Sequence, residues 1–212
     1  MQETPKEKLR KERLQKAAQI INHFSKALGD FYFSESFSDA IDVINNCQGT
    51  IITTGMGKAG LAMRKFSCTL CSLGVSSCYL HPGEASHGDL GVIKPEDVLF
   101  VSSTSGKTRE ILETIDLSRT INSQPIIGIT SHPDSPLREK VDIVLDMGVI
   151  EEAGEIKLAP TTSIILMLAI TDVLALVLSE EKGFSKQDFG KYHHGGYLSD
   201  LAMGRAKSPQ EL

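Results

Sequence analysis

Residues 98–110 read Val-Leu-Phe-Val-Ser-Ser-Thr-Ser-Gly-Lys-Thr-Arg-Glu: a short apolar run, a cluster of hydroxyls broken by one glycine, and the start of a helical pattern. This is a strand, a loop and a helix start. Ser102, Ser103, Thr104, Ser105 and Thr108 set hydroxyls beside backbone N–H groups at the positive end of a helix, which holds a phosphate without great basicity. The plainer alternative is a Ser/Thr N-cap with Glu110 closing a capping box, but five hydroxyls in seven residues exceed what capping needs. The stretch reads as an anion cradle. It is not a nucleotide-binding P-loop, because Val101 stands inside the strand where that motif needs its first glycine.

Upstream, the β-branched strand Thr50–Thr54 leads into Gly55-Met56-Gly57-Lys58-Ala59-Gly60 and an amphipathic helix to Leu73. The glycine spacing fits the dinucleotide fingerprint, but the next strand, 77–80, ends in His81-Pro82 rather than in the acidic residue that would hold a ribose. What survives is a tight turn at Gly55 and Gly57, with Lys58 opening the helix. The loop from His81 to Gly91 is rich in glycine and titratable side chains, as site-building loops are. Downstream follow a helix over 110–119 and strands at 125–130 and 141–145, separated by Pro133 and Pro136. Strands alternating with helices predict an α/β fold, a parallel sheet covered on both faces, with ligands beyond the carboxyl ends of the strands.

Helical patterns over 5–28 and 37–47 precede the sheet and are expected on its flank or against another subunit. Residues 161–179 form a long apolar helix, too short for a comfortable membrane span and carrying Asp172 near its middle, so a core or interface helix is expected. After Phe184 come Tyr192-His193-His194-Gly195-Gly196 and a polar tail, expected to be disordered over 208–212.

The 212 residues, 41% hydrophobic and 23% charged, suit one domain over 1–207 with a helical N-terminal extension. A net charge of −5 without a Lys/Arg cluster argues against nucleic acid, and the polar stretch Met1–Arg13 argues against a leader, so a cytoplasmic protein is expected. Cys47, Cys68, Cys71 and Cys78 read as small buried thiols: the Cys-x-x-Cys pair falls mid-helix and no second pair completes a zinc set. The spacing of His87, His193 and His194 fits no standard zinc site either. No metal or cofactor is expected.

On these residues the chain resembles the sugar isomerase (SIS) domain family, and within it the arabinose 5-phosphate isomerases of capsule and lipopolysaccharide sugar synthesis. The resemblance rests on the glycine turn 55–60, the stretch 81–91 with its His-Gly-Asp-Leu-Gly, Ser103–Gly106 with Glu110, Leu158-Ala159-Pro160-Thr161-Thr162-Ser163, and His193 before Gly195-Gly196. It implies a flavodoxin-like three-layer sandwich around a five-stranded parallel sheet, and a homotetramer. It also implies interconversion of ribulose 5-phosphate and arabinose 5-phosphate through a cis-enediol. Many members append paired CBS domains, and these 212 residues end before any could form. Lys107 stands where an acidic residue is expected, His194 where proline is, and 149–157 departs from the usual sequence.

Lys58, His87, Glu110, Glu152 and His193 carry over by match as catalytic candidates, expected in loops or helix starts beside the cradle. Glu152 is assigned as carbon base, its pKa raised by partial burial, with Glu151 and Glu155 as adjacent alternatives. His193 would move protons on oxygen or open a cyclic substrate, and could reach across a subunit boundary to do so. Lys58 would hold phosphate or enediolate charge. Each has a plainer role: Lys58 pairing with a carboxylate, His87 capping a turn, Glu110 in a capping box. Two other functions stay open, a phosphosugar-sensing regulatory module and an isomerase of another sugar such as a heptose phosphate.

Overall fold

The computed structural model describes residues 4–207; the expected tail over 208–212 lies outside them. Its elements in chain order are α1 (Pro5–Gly29), α2 (Glu35–Asn45), β1 (Ile51–Gly55), α3 (Gly57–Ser72), β2 (Ser77–Leu80), α4 (Pro82–Ala85), β3 (Val98–Ser102), α5 (Arg109–Ile121), β4 (Ile126–Thr130), β5 (Ile143–Asp146), α6 (Thr162–Glu181), α7 (Lys186–Tyr192) and α8 (Tyr197–Ala202). Short 3₁₀ turns sit at Asp89–Val92 and Pro136–Glu139.

The five strands are all parallel, in the order β2-β1-β3-β4-β5. Every residue of β1, β3 and β4 is buried, as unbroken apolar runs require in a sheet covered twice. Alternate residues divide between two cores. Ile51, Phe100, Ile127 and Leu145 face α2, α3 and α6, where Phe66 and Phe100 meet edge-on at 5.0 Å. Ile52, Leu99, Val101 and Ile126 face Ile111 and Ile115 of α5 and the turn residues Leu90 and Leu137. This is the expected three-layer sandwich.

Chain order reverses direction between β1 and β3, so the switch-point crevice opens at their carboxyl ends. The apolar α6 lies in the core: by length and composition alone it could cross a membrane, yet 56% of its apolar window is buried within the fold. It ends at the amino edge of the sheet, where Asn45, just ahead of β1, donates to Glu181 at 2.6 Å. Its start therefore lies at the carboxyl edge. In contrast α1 buries no residue and packs on α6 as an extension.

The thiol expectation fails. Cys68 and Cys71 are exposed and Cys47 and Cys78 half-buried, because helical spacing turns the outer face of α3, not its core face, through positions 68 and 71. The fifth strand starts later than expected, at Ile143, and Asp142 just ahead of it accepts from Ile126 N–H at 2.7 Å through its carboxylate.

Candidate active site

The cradle is built from the ends of β1 and β3. Past Ser102 the chain turns sharply, with Gly106 N–H donating to Ser103 O at 3.0 Å and Gly106 at φ +61°. Only glycine suits this position, because a Cβ there would also run into Ser135. The loop is pinned to β4 through Ser131 N–H, which donates to Thr104 O at 3.0 Å. Ser103 and Thr108 share a hydroxyl–hydroxyl hydrogen bond of 2.8 Å across its mouth, and Ser105 Oγ accepts from Lys107 N–H at 3.2 Å.

Thr108 is the N-cap of α5 but its side chain makes no cap bond, and Glu110 stands one position short of a capping box. The plainer alternative therefore fails here. Among the described residues the N–H groups of Thr104, Ser105, Thr108, Arg109 and Glu110 have no acceptor in the chain. Across the crevice the start of α3 leaves Met56, Gly57, Lys58 and Ala59 N–H in the same condition. Two helix N-termini thus face one crevice with free donors, and Lys58 is exposed beside them. Ser102 does not join in: its hydroxyl is buried and turned back to Thr54 O at 3.4 Å.

The expected loop after β2 is ordered by its own caps. His81 Nδ1 accepts from Gly83 N–H at 3.2 Å and opens α4, which places the cap on His81 rather than His87. His87 is exposed on the following turn.

Glu152 has a different setting. Its carboxylate accepts from Thr161 N–H at 2.8 Å, Thr161 Oγ1 at 3.2 Å, Ser163 N–H at 3.4 Å and the Ser163 hydroxyl. It thereby caps the start of α6 at the carboxyl edge. Partial burial pushes its pKa up, but the four hydrogen bonds together outweigh that and hold the carboxyl below its ordinary range. The expectation of a raised pKa is therefore wrong for this state. Its neighbours are tied elsewhere, Glu151 to Lys157 and Glu155 to Lys16 of α1, both exposed. Residues 151–155 and Lys157 also border a cavity against α1, where His23 Nε2 lies 2.9 Å from Glu151 O.

His193 is the second departure. It ends α7, its ring stacked on Phe189 at 3.8 Å and its Nδ1 2.9 Å from Phe189 O. Tyr192 stacks on Phe184, and Phe184 packs over Gly74, which leads into the amino end of β2. Within its own chain His193 therefore lies at the amino edge, opposite the cradle it was expected to join.

A doubly wound parallel sheet whose switch-point crevice is lined by free N–H groups and hydroxyls, with Lys58 exposed beside it, defines an α/β domain with a site of the kind that suits an anion. The SIS domain model matches residues 44–177, and the chain belongs to that family. It is similar to the arabinose 5-phosphate isomerase KpsF of Escherichia coli, at 41% identity over 81% of this chain and 54% of the relative. Another relative is the arabinose 5-phosphate isomerase KdsD of Salmonella typhi, at 40% identity over 80% of this chain and 51% of the relative. The chain thus spans about half the length of the curated relatives it matches. Among solved structures, E. coli CFT073 c3406 in complex with A5P superposes with a TM-score of 0.83 at 34% identity, covering 86% of this chain and 98% of the other.

Sequence reasoning missed Tyr79, whose hydroxyl holds the Gly55 carbonyl at 2.6 Å from the neighbouring strand. It also gave Thr161 and Ser163 no role, although the Leu-Ala-Pro-Thr stretch that holds them was the available signal.

Proposed function

We propose that this chain is an aldose–ketose isomerase interconverting D-ribulose 5-phosphate and D-arabinose 5-phosphate in the cytoplasm, for capsule or lipopolysaccharide sugar synthesis. The observation that carries this is the crevice of unsatisfied N–H donors and hydroxyls between β1 and β3, in a chain similar to a protein that holds A5P. Ser103, Thr104, Ser105 and Thr108 with the Gly55–Gly57 turn take the phosphate. Lys58 stabilises enediolate charge. Glu152 moves the proton between C1 and C2, and His87, Glu110 and His193 serve the substrate oxygens. For Glu152 to act as base, substrate must draw it away from the α6 start, which frees lone pairs and raises its pKa. No cofactor is needed for this chemistry.

The unit is one SIS domain over 1–207, with α1 as an extension, acting as a homotetramer. Assembly accounts for two observations: His193 at the far edge from its own cradle, and the exposed apolar side chains of α1 and the 148–158 loop, such as Leu14, Ile21, Val149 and Leu158. His193 of one subunit then completes a neighbour's site. Incubation with ribulose 5-phosphate should yield arabinose 5-phosphate, and absence of product sinks the assignment. Co-assembled Glu152→Gln and His193→Ala chains should regain part of the activity that each lacks alone. An exchanged mixture no more active than its parents returns His193 to its own subunit.

A further inference from the structure

Tyr79 stands on β2 level with Thr53 of β1, and its ring packs with the core on the α3 side of the sheet. Its hydroxyl donates to Gly55 O at 2.6 Å, and the Arg64 guanidinium of α3 lies over its ring, 4.4 Å from the centroid. The turn it grips has no slack. A Cβ on Gly55 would run into Ser102 Oγ, and one on Gly60 would run into Gly55 O and stand 2.8 Å from the Tyr79 hydroxyl. A trans peptide points its N–H opposite to its carbonyl. With Gly55 O tied to Tyr79 on the α3 side, Met56 N–H is turned away from that layer, and it has no acceptor among the described residues.

We propose that Tyr79 is a positioning residue: by fixing the Gly55–Met56 peptide it aims the free N–H groups and Lys58 at the start of α3 into the crevice, for the substrate's phosphate or enediolate. This rests on the crevice being the phosphosugar site. Burial pushes the phenol pKa up, against the smaller opposing effect of Arg64, so the hydroxyl remains a donor across neutral pH. Arg64 holds the ring in place from above.

Tyr79→Phe keeps the ring beneath Arg64 and removes only the donor, leaving the Gly55 carbonyl without a partner. Wild type, Tyr79→Phe, Lys58→Ala and the double variant are assayed with ribulose 5-phosphate and titrated with inorganic phosphate. Tyr79→Phe should lower kcat/KM roughly fivefold to fiftyfold while the protein still melts cooperatively. In the Lys58→Ala background the same change should cost less, because the two residues act through one turn. A kcat/KM within about twofold of wild type overturns the proposal. An equal cost in both backgrounds does too, since a general loss of stability would give that. If wild type turns over no pentose 5-phosphate, the isomerase assignment fails, and the phosphate affinities of the four proteins decide the role of Tyr79.

Discussion

The cradle and the 148–161 loop sit at the same edge of the sheet but are held in different ways. The cradle continues two fully buried strands, and its shape follows from sheet register, Gly106 and hydrogen bonds among its own residues. The loop carrying Glu152 is irregular, with Lys157 at φ +48°, and is held by side chains from α1 and the start of α6. On the proposed function, the binding half is therefore formed before substrate arrives. The chemical half is held in a resting arrangement, with the proposed base spent on capping a helix.

Glu152→Gln tests that contrast most severely. If the carboxylate is the base, kcat should fall roughly 10²- to 10⁴-fold with KM little changed, since the amide keeps the shape but takes no proton. If Glu152 only caps α6, the loss should appear in stability, about 1 kcal/mol, with kcat intact. Turnover and thermal melting on one preparation distinguish the two. A loss at Glu151→Gln instead would move the base by one residue.

Ser103→Ala with Ser105→Ala probes the preformed half. Each hydroxyl lost from a charged ligand costs about 1.5–3 kcal/mol, so KM should rise roughly tenfold or more per hydroxyl while kcat changes less. The sheet beneath should hold its melting temperature. An unchanged KM removes these hydroxyls from the binding half.

The same division sets what the sequence could reveal. Strand, turn and helix start follow one another within residues 98–110, so local pattern exposes the cradle. The glycine turn at 55–60 is local in the same way. Glu152 is legible as a residue but not as a cap, because its partners Thr161 and Ser163 arrive through a loop with no periodicity. Tyr79 looked like an ordinary strand residue, its partner Gly55 being on another strand. The edge at which His193 lies is not legible in the sequence, because only the packing of Phe184 on Gly74 shows where α7 sits. Long-range contacts carry the chemical half, and single-sequence patterns are blind to them.

Acid offers a further measure of the cap. Glu152 has a folded pKa below its ordinary 4.5, so the stability it contributes is complete above that value and is lost as pH falls through the folded one. Wild type should therefore exceed Glu152→Gln in melting temperature near neutrality, and the gap should narrow as the pH falls below 4.5 and through the lower folded pKa. A gap that persists in strong acid means the carboxylate's charge contributes nothing to the cap.

The smallest effect concerns α1, which reaches the chemical half through Lys16 and Glu155. Both side chains are well exposed, at 61% and 79%, so the pair is screened by water and salt. Exposed pairs of this kind contribute little, and Lys16→Gln should leave stability nearly unchanged. Its effect on kcat is the informative quantity. If the loop is positioned by Glu152 on α6 alone, kcat should stay within about twofold of wild type at low and high salt. A larger, salt-sensitive fall would mean that α1 helps set the loop's arrangement and that the chemical half extends to the N-terminal helix. His23 Nε2, beside Glu151 O on the same helix, would then be the next contact to remove.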